Sequence, residues 1–420
     1  MNSINYDDLP HNNILCVDMK SFFASVEAVA REMDPLKVFL AVVGDKNRES
    51  SVVLAASPLL KEKYNIKTGN RFYEIPEYSE IKIVNARMGL YLETSLQITR
   101  LFNNFVPLDA LHVYSIDESW LKLDGTERLL GDKYQVAKKI RNELLKKFGL
   151  HCSMGLGPNM FLAKVAMDIE GKKKGFAEWT YDDVPHKLWP LALDECWGIG
   201  SRLKKRFNRL GIKTVGELAQ LSLTYLEKRF GIMGSQLYYH ARGIDLSKVE
   251  GHYREQPKNL GRGITLLHDY KNEEEIRTVI FDLSEEVAKR SREKGLVGKT
   301  ISLGIGYSRE ELNGGFYVQR SLKQYTNLTH DVYGTCLDLF SENYRGEVVR
   351  KINVALGNFS SHTAGQLNLF INKTKENKIC KTKDEIEDKF GYRALFYGRS
   401  LKKGSVRKKI KTTTGGHKTF

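Results

Sequence analysis

The apolar run Ile14 to Val17 stops at Asp18, and that step predicts a buried strand delivering a carboxylate at its C-terminal end. From Ser21 to Arg31 the period changes to that of a helix, with Phe22, Val26 and Val29 on one face and Ser21 as its N-cap. Leu36 to Val43 and Ser51 to Ala56 read as two more strands around a polar turn. Pro58 to Tyr64 reads as a helix closed by Asn65-Ile66-Lys67-Thr68-Gly69. Tyr91 to Phe105 is amphipathic at helical spacing. His112 to Ile116 and Trp120 to Leu123 read as a hairpin with Asp117-Glu118-Ser119 between its strands, Tyr134 to Phe148 as a Lys-rich helix and Cys152 to Leu156 as a strand. Strand, helix, inserted segment, helix, hairpin, helix, strand is the order of a ferredoxin-like split βαβ layout, an α+β fold in which the insert forms a small domain of its own.

Pro190 to Asp245 is patterned as helices joined by short Gly-bearing turns. After a polar stretch from Ser247 to Asn259, helical segments at Asn272 to Glu293 and Thr326 to Phe340 alternate with strands at Thr300 to Tyr307 and Ile352 to Leu356. A second α+β domain follows from that alternation. A short helix is expected at Asp384 to Phe396.

A chain of 420 residues is too long for one ordinary core, so several modules are expected. It holds no run of about 18 apolar residues, which excludes a membrane span. Met1 to Asn13 is polar and acidic, unlike a signal peptide, so the protein is expected in the cytoplasm. Cys16, Cys152, Cys196, Cys336 and Cys380 form no CxxC pair and suit reduced thiols rather than structural zinc. Formal net charge is +15, and residues 371–420 hold 15 Lys and Arg against 5 Asp and Glu. Such a surplus suits a polyanion partner, because each neutralised phosphate releases a counterion; a solvated, partly disordered tail is the plainer reading.

The chemistry concentrates on Asp18, Asp117 and Glu118. Adjacent acids at a hairpin apex, facing a third at the end of a neighbouring strand, repel one another unless cations lie among them. Paired divalent metals about 3.5 to 4 Å apart need such carboxylates, and they stabilise both the attacking and the leaving oxygen of phosphoryl transfer. A lone Asp-Glu pair is more often an ordinary turn. The surrounding residues decide otherwise.

Cys16-Val17-Asp18-Met19-Lys20-Ser21-Phe22-Phe23-Ala24-Ser25-Val26-Glu27 resembles the opening motif of the Y-family DNA polymerases, the error-prone lesion-bypass class. Ser115-Ile116-Asp117-Glu118 resembles the second acidic motif of that family. Ser153-Met154-Gly155-Leu156-Gly157-Pro158-Asn159, through Ala163-Lys164, resembles its third. The order is the family's, and the resemblance covers nearly the whole chain, on the UmuC-like branch. It implies a right-hand polymerase without proofreading, transferring nucleotides from dNTPs to a primer 3′-hydroxyl with two magnesium ions. Asp18 and Asp117 would bridge both metals, Glu118 would hold the metal that activates the 3′-hydroxyl, and the Met19 carbonyl would complete the nucleotide-associated metal. Phe22, Phe23 and Lys164 would contact the nucleotide, with Phe23 as steric gate against a ribose 2′-hydroxyl. One departure stands out: Leu59 and Glu62 fall where many relatives place Tyr and Arg to grip the phosphates, leaving Lys61, Lys63 or Arg71 as substitutes.

Glu195-Cys196-Trp197-Gly198-Ile199-Gly200 and the basic stretch after it read as a helix-hairpin-helix. Gly198 and Gly200 let backbone N–H groups approach a DNA phosphate, with Lys204, Lys205 and Arg206 beside them. Gln366-Leu367-Asn368-Leu369-Phe370 resembles the peptide by which bacterial polymerases bind the sliding clamp, with Leu369 and Phe370 as apolar anchors and Gln366 as polar contact.

The expected domains are a palm (1–30 and 90–182), fingers (31–89), a helical thumb (183–248), a little finger (258–362) and a basic tail (363–420). The expected partners are primer–template DNA, dNTP and the sliding clamp, with an accessory mutagenesis subunit or recombinase filament as a further one, in a nucleoid-associated SOS response. A catalytically silent clamp- or DNA-binding subunit is the alternative, although it would be expected to lack acids that are present. A nucleotide cyclase also uses paired acids on such a palm but has no use for a helix-hairpin-helix.

Overall fold

Ile14–Met19 forms β1, the middle strand of a five-stranded sheet, in a computed structural model that describes residues 5–250, 257–311, 313–361, 374–414 and 417–418. The described chain divides into two units, one of residues 5–250 with Lys418 and the other of described residues from 257 to 417.

In the first unit the sheet order is β5-β6-β1-β7-β8, with β5 at Leu111–Val113, β6 at Glu118–Lys122, β7 at Cys152–Gly157 and β8 at Phe176–Glu178. β1 runs antiparallel to both β6 and β7. Both faces of β1 are covered, which is why its sequence is continuously apolar instead of alternating. Leu15 and Val17 join the core made with α1 (Phe22–Val29), α3 (Met88–Phe102) and α4 (Lys133–Phe148). Cys16 and Trp120 pack on the opposite side against α5 (Met160–Ala166).

The insert is a three-stranded sheet, β3-β2-β4, with β2 at Leu40–Val43, β3 at Val53–Ala56 and β4 at Lys82–Asn85. It has its own apolar cluster, into which α2 (Pro58–Tyr64) sends Leu60. The expected strands there are shorter than the apolar stretches suggested, and β4 was not foreseen. α6 (Ser201–Asn208), α7 (Val215–Ala219), α8 (Leu223–Phe230) and α9 (Ile232–His240) make up the expected helical segment, around a core containing Phe207, Leu218, Leu226 and Leu237.

Two local expectations are corrected. Ser21 does not cap α1: its backbone is left-handed at φ 48°, ψ 48°, and its side chain makes no capping bond. Glu118 is not a turn residue but the first residue of β6, where the ladder to β1 begins.

The second unit is a four-stranded antiparallel sheet in the order β11-β10-β12-β9. Its strands are β9 (Asn259–Tyr270), β10 (Leu296–Tyr307), β11 (Gly315–Thr326) and β12 (Val349–Ser361). Ile264, Ile301, Leu303, Ile352 and Val354 pack under α10 (Glu273–Glu293) and α11 (Thr329–Asn343). The other face carries small and polar residues, with Gly263, Asn353, Gly304 and Tyr317 in one cross-strand row.

The tail is folded where it is described. α12 (Thr374–Phe390) starts earlier than the expected helix, and a turn at Gly398–Leu401 leads to α13 (Arg407–Lys411). Val406 and Ile410 enter the core of the second unit. Asp282 of α10, 2% exposed, accepts hydrogen bonds from the Ser400 and Ser405 hydroxyls and from the backbone N–H groups of Val406 and Arg407, at 2.7 to 3.1 Å. Further along the same helix Arg292 grips Asp384 at 2.6 and 3.1 Å, Lys411 lies 2.9 Å from both Glu286 and Glu387, and Lys383 pairs with Glu285. Much of the tail's positive charge is therefore neutralised inside its own unit, which corrects the picture of a solvated basic arm. The clamp-like residues Gln366, Leu369 and Phe370 lie outside the described residues.

Candidate active site

Sheet register brings the acids together. Asp18 and Glu118 are paired across β1 and β6, so their side chains leave the same face. Asp117 precedes Glu118, and its carbonyl accepts from the Met19 N–H at 2.9 Å, which staples the turn to the end of β1. The Ser115 hydroxyl donates to Asp117 Oδ1 at 2.7 Å.

Glycines make the neighbouring wall possible. A side chain at Gly155 would meet the Ala163 carbonyl oxygen at 2.1 Å, and one at Gly157 would meet the Ala163 nitrogen at 2.6 Å. Their absence lets α5, capped by Asn159 Oδ1 on the Leu162 N–H at 2.8 Å, lie flat on β7. That approach places the Lys164 ammonium 2.8 Å from Glu118 and 3.3 Å from Asp168. A π-helical turn at Met167–Gly171 follows, after which Lys172 reaches Asp168 at 2.7 Å and Asp18 at 3.8 Å. Asp168 and Lys172 were not singled out in the sequence. Their i, i+4, i+8 spacing from Lys164 was the available signal.

Burial pushes the Asp18 carboxyl up and Lys172 draws it down; Asp117 and Glu118 raise it again, and it settles at about 6. Lys164 loses hydration through burial, yet its hydrogen bond to Glu118 holds its ammonium above the ordinary lysine range. Among the described residues no three acid, histidine or cysteine side chains converge tightly enough to hold a metal ion, and Lys164 and Lys172 lie against the carboxylates. The donor set, all oxygen and with Asp18 raised by burial and then by the neighbouring acids, still suits hard divalent cations. Met19, the expected carbonyl ligand, ends β1.

Phe23 leaves the first turn of α1 half-buried and stacks on Tyr91, with ring centroids 4.4 Å apart and planes 14° apart. The Tyr91 hydroxyl donates to Glu27 at 2.7 Å, and Arg87 holds both oxygens of that fully buried carboxylate at 2.9 and 2.7 Å. Phe23 thus rests on a fixed base. Phe22, 3% exposed, is core packing beneath it.

In the helix-hairpin-helix, Gly198 takes φ +92°, and the space beside the α-carbons of Gly198 and Gly200 is open. A ligand could approach that backbone closely. The three basic residues differ in setting: Lys204 pairs with Asp194 at 2.7 Å, Arg206 lies over Phe230 at 4.6 Å, and Lys205 is exposed. Arg202 and Arg209, exposed on the same short helix and its end, were missed.

Residues 17–168 match the impB/mucB/samB family, residues 257–369 its C-terminal domain, and residues 196–245 the thumb domain described for DNA polymerase-iota. The chain is 46% identical to the UV-damage repair protein UvrX of Bacillus subtilis (strain 168), over 99% of this chain and 100% of that protein. It is 36% identical to DNA polymerase IV 2 of the same organism, over 96% and 98%. DNA polymerase IV of Moorella thermoacetica is 35% identical over 93% and 96%. Among solved structures, a Y-family DNA polymerase chimera of Dbh and Dpo4 superposes with a TM-score of 0.67 at 24% identity, covering 82% of this chain and 98% of that one.

Proposed function

The chain belongs to the impB/mucB/samB family of Y-family DNA polymerases and is a translesion DNA-directed DNA polymerase, and from that premise we propose how its residues carry the reaction. Asp18, Asp117 and Glu118 hold two magnesium ions, with the Met19 carbonyl as a further ligand. When bound, the ions supply charge stabilisation to the attacking 3′-hydroxyl and the departing pyrophosphate. The pairing of Asp18 with Glu118 across β1 and β6, with Asp117 stapled beside them, is the observation that carries this reading. Lys164 is confined between Glu118 and Asp168 and offers a fixed positive charge at the same face. A silent accessory subunit is not favoured, since all three acids stand at strand ends.

The first unit supplies palm (1–30, 90–182), fingers (31–89) and thumb (183–248), and the second supplies the little finger (258–362) and tail. Gly198 and Gly200, with Lys204, Lys205 and Arg206, hold duplex DNA by its phosphates without reading bases. Gln366, Leu369 and Phe370 engage the sliding clamp; an accessory subunit or recombinase filament joins during the SOS response, in the nucleoid. No described helix is long and apolar enough to cross a membrane.

Primer extension across a defined lesion tests the whole reading. The purified chain with magnesium should extend past the lesion, and the clamp should stimulate it; Leu369→Ala with Phe370→Ala should remove the stimulation and spare basal extension. Absence of any extension with clamp present would sink the polymerase reading, and equal stimulation of the double variant would remove the peptide from it. For Phe23→Ala, discrimination against ribonucleotides should fall by about fivefold to 150-fold, matching the ~1–3 kcal/mol cost of overpacking. Unchanged ribonucleotide incorporation would leave Phe23 as packing alone.

A further inference from the structure

We propose that Lys61 of the fingers, together with Lys172 beyond the π turn, forms the cationic cradle for the triphosphate of the incoming nucleotide. The inference rests on the polymerase reading and deepens it. Leu59 is half-buried and Glu62 exposed on α2, and neither can donate to a phosphate. Lys63 and Arg71 are turned elsewhere: Lys63 pairs with Glu80 at 3.2 Å, and Arg71 donates to the Ser50 carbonyl at 3.0 Å.

Lys61 alone of these three is directed at the acidic face. Its ammonium donates to the Ser21 hydroxyl at 2.8 Å and lies within electrostatic reach of Asp18 and Lys172. Among the described residues no carboxylate comes within ion-pair distance of it, so it sits beside the acids with only a neutral hydroxyl for a partner. That hydroxyl is presented by the left-handed backbone of Ser21, a conformation that side chains rarely adopt and that tends to persist at functional sites. Lys172 supplies the second arm. It is half-exposed, at 3.8 Å from Asp18 and 2.7 Å from Asp168, whereas Lys164 is buried.

Charge balance points the same way. The ammonium groups of Lys61, Lys164 and Lys172 face the carboxylates of Asp18, Asp117, Glu118 and Asp168. Two divalent cations among these acids would leave an excess of about three positive charges, close to what a triphosphate neutralises. With Asp18 engaged by the ions, Lys172 would keep only Asp168 and Lys61 only the Ser21 hydroxyl, so both ammonium groups could take an anion. A triphosphate on the metals is the anion that the reaction brings.

The test uses the full chain bound to primer–template DNA, with calcium replacing magnesium so that binding is read without turnover. Equilibrium dissociation constants are measured for a dNTP and for the corresponding deoxynucleoside monophosphate by a fluorescent base in the template. Lys61→Met should weaken dNTP binding by about tenfold to a hundredfold, the range of a charge-assisted bond, and Lys172→Met should weaken it in the same direction. Monophosphate and primer–template affinities should stay unchanged, Lys61→Arg should retain most of the dNTP affinity, and Lys63→Met should match wild type. An unchanged dNTP constant in Lys61→Met, or equal weakening for the monophosphate, overturns the proposal; Lys61→Gln is the second variant if methionine disturbs packing. Wild-type protein that neither binds dNTP nor extends a primer overturns the polymerase reading and this inference with it.

Discussion

Asp117→Ala is expected to lower nucleotide incorporation by about a thousandfold or more, because a metal clamp on phosphoryl oxygens contributes on the order of 4 kcal/mol of charge stabilisation. The loss should fall on kcat, with primer–template affinity within about twofold of wild type, since the residues proposed to hold the duplex by its phosphates are other than Asp117. Folding should survive. The bond that fastens this turn to β1 uses the Asp117 backbone carbonyl, which alanine keeps. Single-turnover incorporation and DNA binding, measured on the same preparation, decide it: comparable loss of both would mean the substitution damages the fold, and loss of neither would remove Asp117 from the reaction centre.

Asp282→Ala is expected to destabilise the second unit by roughly 3–5 kcal/mol, because it leaves two buried backbone N–H groups and two hydroxyls without their acceptor. Chemical denaturation should show the loss, and hydrogen exchange should quicken at residues 398–411 before it does elsewhere. Asp282→Asn, which keeps one acceptor oxygen, should fall between the two. A denaturation midpoint for Asp282→Ala equal to wild type would mean that the C-terminal segment is not part of the folded unit.

The catalytic face was legible because it is written in local contrasts. A continuous apolar run that breaks at Asp18, and two acids between strand-like segments, survive any error of a residue or two in element boundaries. β9 and β11 escaped notice for the opposite reason. One face of each is open, so Gly261, Gly263, Gln319 and Ser321 interleave with the buried positions and dilute the apolar signal. Ser21 was misread because a serine before a helix ordinarily caps it, whereas here its left-handed backbone turns the hydroxyl toward Lys61. No periodicity could reveal that choice. The tail was the largest surprise: its basic residues look solvated in sequence, but their acidic partners, Glu285 and Glu286, stand on a helix far earlier in the chain. Composition sums charges and is blind to pairing at a distance.

The docking of α12 and α13 onto α10 also changes what a late break in the reading frame would do. A polymerase whose end hangs loose can lose it to a premature stop and keep a working body. In this chain the same stop would leave Asp282, Glu285 and the Phe281 ring, which packs on Tyr397, facing water, although every residue of the acidic face lies upstream. Stop codons that delete α12 and α13 should therefore act as losses of abundance, cleared by cellular proteases, rather than as mild defects in recruitment.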